Sequence, residues 1–167
     1  MLELKPLSRE AIPGALARVE RYRLLNEPEQ AESICQDILR TDPDNQEAVR
    51  SLLLALTDQF STGTGPRVAE ARDLIPRFRD PYDRHYYNGI ISERRARAFI
   101  NQGWLGTGSI AYEWIRDAMN SYEKAEAIRP PGNDDAILRW NTCARFLNSH
   151  PHLAPKPEEQ LEPMMLE

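Results

Sequence analysis

The sequence predicts an all-α protein built from helix pairs stacked on one another. Three observations carry that expectation. Apolar residues recur at helical spacing in seven successive segments, and proline or glycine-rich runs separate those segments. No stretch alternates apolar and polar residues as a strand pair would, and no Asn-Gly turn joins two such runs.

The first segment, Ile12 to Asn26, places Leu16, Val19 and Tyr22 on one face, with Leu24 and Leu25 behind. Asn26-Glu27-Pro28 breaks it, and Pro28 suits the first turn of a second helix. That helix runs through Ala31, Ile34, Cys35, Ile38 and Leu39 until Asp42-Pro43, where proline cannot continue the hydrogen-bond ladder. A third helix from about Gln46 to Phe60 carries Leu52, Leu53, Leu54 and Leu56. Ser61-Thr62-Gly63-Thr64-Gly65-Pro66 is a loop by composition. The fourth helix, Arg67 to Phe78, contains Pro76 in its last turns and is expected to kink or stop early there.

The fifth helix, Tyr82 to Asn101, carries Tyr87, Ile90, Ile91, Ala98 and Phe99. A second glycine-rich loop, Gln102 to Gly108, leads to a sixth helix from Ile110 to Ile128, which Arg129-Pro130-Pro131-Gly132 ends. Asn133 or Asp134 can cap a seventh helix reaching Leu147, expected to close the open end of the stack. The helical domain is thus residues 1–148. Residues 149–167, with four prolines and four glutamates, read as a disordered tail.

The chain has 167 residues and a formal charge of -5, which argues against non-specific binding to nucleic acid or to an anionic membrane. That charge is uneven. Residues 1–47 carry 6 Lys/Arg against 10 Asp/Glu, residues 48–110 carry 9 against 6, and residues 111–167 carry 6 against 10. A basic middle lies between acidic ends, as either one positive surface or a solvated mixture. No apolar run approaches the ~18 residues that cross a bilayer, and the N-terminus lacks the pattern of a signal peptide. Cys35 and Cys143 lie far apart inside helical patterns, where buried free thiols in a reducing cytoplasm account for them best.

The second helix of each pair repeats one pattern: a small residue, a bulkier one four on, and another core residue seven on. The sets are Ala31-Cys35-Ile38, Ala71-Ile75-Phe78 and Ala118-Tyr122-Ala125, with Pro43 and Pro130 twelve residues after the first and third alanines. The small residue lets two helices approach closely, and each hairpin leaves an apolar face that a neighbour must cover. On these residues the chain resembles the tetratricopeptide-repeat family, most clearly from Asn26 to Asn45 and from Ala118 to Pro130. The resemblance spans about residues 10–148 and implies a right-handed solenoid of about three repeats with a capping helix. The alanines lie 40 and 47 residues apart, longer than the family's unit of about 34, which places the excess in the glycine-rich loops. The family's glycine in the first helix is replaced by Val19 or Leu53, and Gly89 supplies it in the third unit.

Residues for chemistry are few. His150 and His152 have no cysteine or third histidine nearby, and His85 beside Tyr86 and Tyr87 fits packing better than catalysis. Neither Thr-Gly loop has the lysine or the preceding strand of a phosphate loop. Asp134-Asp135 and Glu158-Glu159 are adjacent pairs that do not face one another on a helix. No nucleophile with a basic partner is evident, so the chain is expected not to be an enzyme and to need no cofactor or metal.

The resemblance implies that the first helices of the pairs line a concave groove for a peptide. Their positions outside the core include Arg23, Arg50, Asn88, Arg94 and Arg95. Guanidinium forks suit an acidic peptide or a terminal carboxylate, and the Asn88 amide could hold peptide backbone; solvated arginines on exposed faces are the alternative. The clamp by which some family members read a chaperone's acidic C-terminus would fall at Leu16, Glu20 and Ser51, which do not match it. Trp104, beside Leu105 in the second loop, is either an exposed anchor for a partner or a lid folded over a helix pair. Trp114 and Trp140 are expected in packing. The partner expected is another protein or peptide, not nucleic acid or membrane. A self-assembling solenoid or a non-catalytic regulatory subunit of an enzyme is the alternative function.

Overall fold

A computed structural model describes residues 1–62, 67–103 and 108–156. Among them the chain is all-helical, with no strand. These residues form seven α-helices: α1 Ile12–Leu24, α2 Pro28–Thr41, α3 Gln46–Thr57, α4 Arg67–Asp73, α5 Pro81–Asn101, α6 Gly108–Ala127 and α7 Asp135–Ser149. Three short 3-10 turns, Arg9–Ala11, Ile75–Arg77 and Pro151–Leu153, complete them.

Local chemistry sets the boundaries. Asn26 takes a left-handed φ of 59°, which asparagine tolerates, and it turns the chain so that Glu27 N–H donates to the Tyr22 carbonyl at 2.8 Å. Pro28 then starts α2, where its missing N–H costs nothing. The Asn45 side chain accepts from Ala48 N–H at 2.9 Å to cap α3, and that of Asp80 accepts from Tyr82 N–H at 2.9 Å to cap α5. The fourth helix stops at Asp73 rather than Phe78. Pro76 removes a donor, and the chain tightens into the 3-10 turn that carries Phe78 into the core.

Each helix packs against the next in sequence, and α1 also touches α3 while α3 touches α5. One apolar core runs through all seven helices, from Ile12 to Cys143. Ala31, Ala71 and Ala118 are each 0% exposed, as are Cys35, Ile38, Phe78, Tyr122 and Ala125 from the same pattern, whereas Ile75 is half-buried. Full burial of an Ile or Leu such as Ile38 or Leu53 contributes roughly 1.5–3 kcal/mol each. Both cysteines are free and buried. The turn after α7 buries Leu153 against Gly108 at the start of α6, so packed chain continues beyond the boundary expected at residue 148. The rest of the expected tail, 157–167, lies outside the described residues. No described helix is long and apolar enough to cross a membrane.

Candidate functional site

α1, α3 and α5 bring Arg23, Asp58 and Arg94 together. Asp58, one residue past the end of α3, accepts from Arg23 Nε at 2.8 Å and from the Arg94 guanidinium. Arg94 also donates to Thr57 Oγ1 at 2.7 Å. Burial lowers the Arg94 pKa; the Asp58 charge opposes that shift, and the Arg23 and Arg139 charges add to it. Two cations thus share one carboxylate.

A second carboxylate is shared in the same way. Glu93 on α5 is 2% exposed and accepts from Tyr122 Oη on α6 at 2.7 Å and from Arg97 Nε at 3.2 Å. Arg139 on α7 lies 3.7 Å from it. Burial opposes the Arg139 charge, but Glu93 outweighs that and raises its pKa. A buried acid needs this full set of partners, because an unpaired buried charge is costly.

Two clefts open beside Asp58. One, of about 280 Å³, is lined by Glu20, Arg23, Leu24, Asn26 and Asp58. The other, of about 190 Å³, lies between the ends of α3 and α5, with Asp58, Arg94 and Arg97 for its charges and Phe60 and Ala98 as its apolar part. Two arginines and one carboxylate line this second cleft, a local excess of positive charge in an acidic chain.

The other residues singled out in the sequence do not join this cluster. Arg50 pairs with Asp83 at 2.7 Å nearer the start of α5; burial works against its charge, but the Asp83 bond and charge raise its pKa. Asn88 donates to Ser121 Oγ at 3.0 Å, which commits its amide to α6. Arg95 lies over the Trp114 ring at 3.8 Å, and that ring packs on Phe99 at 5.1 Å. Trp140 donates to Glu123 at 2.9 Å. Trp104 lies outside the described residues. Among the described residues, no group of three or more His, Cys, Asp or Glu side chains could hold a metal ion.

Asp58, Glu93, Arg97 and Arg139 were not evident from the sequence. One signal was present: Arg23, Asp58 and Arg94 succeed one another at 35 and 36 residues. The same spacing recurs across the molecule. Side chains bond at 33 residues in Arg50–Asp83 and Asn88–Ser121, at 35 in Arg67–Glu32, and at 34 in Thr41 to the Leu7 carbonyl and Arg77 to the Pro43 carbonyl. No family model, no curated protein and no solved structure matches the chain.

Proposed function

We propose that this chain is a non-catalytic protein-interaction module that binds an acidic peptide segment of its partner along the row formed by α1, α3 and α5. In this reading the pairs α1/α2, α3/α4 and α5/α6 are tetratricopeptide-like repeats stacked in a right-handed solenoid, and α7 caps the end. The recurrent bonds at 33 to 36 residues support the stack, because equivalent positions of neighbouring units touch when the unit is about 34 residues long. Full burial of Ala31, Ala71 and Ala118 supports a close helix approach in each pair.

The observation that carries the binding reading is the cleft between the ends of α3 and α5, where Arg94 and Arg97 face the single carboxylate of Asp58. Arginine forks recognise carboxylates with paired, charge-assisted hydrogen bonds, and Phe60 and Ala98 give an adjoining side chain apolar contact. The two buried, unpaired thiols fit work in a reducing compartment such as the cytoplasm.

Fluorescence anisotropy with labelled acidic, neutral and basic peptides of matched length tests the reading. Acidic peptides bind selectively, more weakly as salt rises, and several-fold more weakly to Arg97→Gln. Equal binding of all three classes contradicts it. A self-assembling stack is the second reading, favoured by the exposed Leu24 and Leu25 at the end of α1 and Leu138 on α7. Sedimentation that shows a monomer at all concentrations removes it.

A further inference from the structure

The positive cleft between the ends of α3 and α5 lies close to the point where the chain leaves α7. The Arg97 guanidinium sits 4.9 Å over the Phe146 ring of α7. His150 stacks on Phe146 at 4.3 Å, and His152 lies 5.7 Å further on from His150. Leu153 is then seated against Gly108, and the chain is described as far as Lys156. The sequence continues with Pro157-Glu158-Glu159-Gln160-Leu161-Glu162-Pro163, which holds three carboxylates in five residues and a leucine between them.

We propose that this acidic segment, Glu158 to Glu162, docks in cis in the cleft, with its carboxylates on Arg94 and Arg97 and Leu161 against Phe60 and Ala98. Charge complementarity supports the match: Asp58 and Glu93 are each shared by two arginines, so the cleft wall keeps cationic capacity that its own acids do not neutralise. Reach supports it as well. The described chain ends at Lys156, and six residues from there to Glu162 can span ~20 Å, against steps of 5.7, 4.3 and 4.9 Å that lead from His152 back to Arg97. Pro157 and Pro163 bracket the segment in sequence, and a residue before proline disfavours helix. A tethered acid meets its site at an effective concentration in roughly the millimolar range, so even weak contacts keep it bound.

The consequence rests on the interaction reading proposed for α1, α3 and α5: a partner's acidic peptide must displace the chain's own segment, which makes that segment an internal competitor. The docking itself does not depend on that reading.

Paramagnetic relaxation in the full chain tests the docking. Cys35 and Cys143 are 0% exposed, so a thiol-reactive spin label on Leu161→Cys goes to the introduced site. The amides of Ser61, Ala98 and Asn101 broaden selectively. That broadening is lost in E158Q/E159Q/E162Q, in Arg97→Gln and at high salt. Unaffected cleft amides, or the same broadening in the glutamine variant, overturn the proposal. So does broadening seen only between a spin-labelled copy and a separate isotope-labelled copy, which moves the segment onto a second molecule. The readout needs no partner, and the peptide titration repeated in E158Q/E159Q/E162Q removes the competitor. Absence of peptide binding there strikes the interaction reading alone.

Discussion

A Cβ on residue 89 would stand 2.5 Å from Cε1 of the Tyr122 ring, so α5 and α6 meet here at a distance that glycine permits and alanine does not. The ring has nowhere to go: it is 0% exposed, and its hydroxyl donates to Glu93 at 2.7 Å. Gly89→Ala therefore costs about 1–3 kcal/mol through overpacking. Urea denaturation measures the loss. Combined with Tyr122→Val, the alanine should cost less than it does alone, because the obstructing ring is gone. Full additivity would mean that the two residues are not in contact.

Tyr122 also separates packing from hydrogen bonding. Tyr122→Ala deletes a buried ring and costs on the order of 3–5 kcal/mol. Tyr122→Phe keeps the ring but leaves one Glu93 oxygen without its hydroxyl donor, for roughly 1–3 kcal/mol. Burial and the Glu93 charge both push the Tyr122 pKa up, so the hydroxyl stays protonated and the bond persists through ordinary pH. Equal midpoints for the phenylalanine variant and the parent would place Glu93 elsewhere.

How much of this was legible in the sequence depends on whether a feature is local. Pro28 and Pro43 mark the start of α2 and the break after it because proline lacks the donor that a helix interior needs. The three alanines mark the close approaches because the pattern is carried within one helix. Pro76 was recognisable as a disturbance, but how early α4 ends was not, since the 3-10 turn is fixed by where Phe78 finds the core. Asp58 carries no periodic mark, being just past the end of α3, and it matters only because Arg23 and Arg94 arrive from two other helices. Glu93 reads as one more polar helix position, yet its neighbours from α6 and α7 make it nearly inaccessible. A sequence names candidate arginines; it does not say whether their carboxylate belongs to a ligand or to the same chain.

The thiols predict a response to alkali. Burial, before any charge, pushes both Cys35 and Cys143 from 9.0 up to about 12. Between these values the native state keeps protons that the unfolded chain has lost, so stability falls as pH rises above about 9 and flattens near 12. The slope is about 1.4 kcal/mol per pH unit for each thiol, and Tyr82 and Tyr87, also pushed to about 12, steepen it above 10. Urea midpoints at neutral pH and at about pH 10.5 track the effect, which Cys35→Ala with Cys143→Ala should reduce. A thiol-reactive dye should label the native protein far more slowly than the unfolded one. Fast native labelling would contradict the burial.

The proposed stack requires α3 and α5 to lie side by side, and a double-mutant cycle on Asp58 and Arg94 tests that most directly. Their side chains are 23% and 24% exposed, sheltered enough for the pair to exceed an ordinary surface ion pair. Asp58→Ala and Arg94→Ala should show a coupling of about 1–3 kcal/mol at low salt. The same cycle between Asp58 and Arg50, which pairs elsewhere with Asp83, should give close to zero. If Asp58 and Arg94 also prove additive to within about 0.3 kcal/mol, α3 and α5 do not meet there, and the proposed stack with its clefts is wrong.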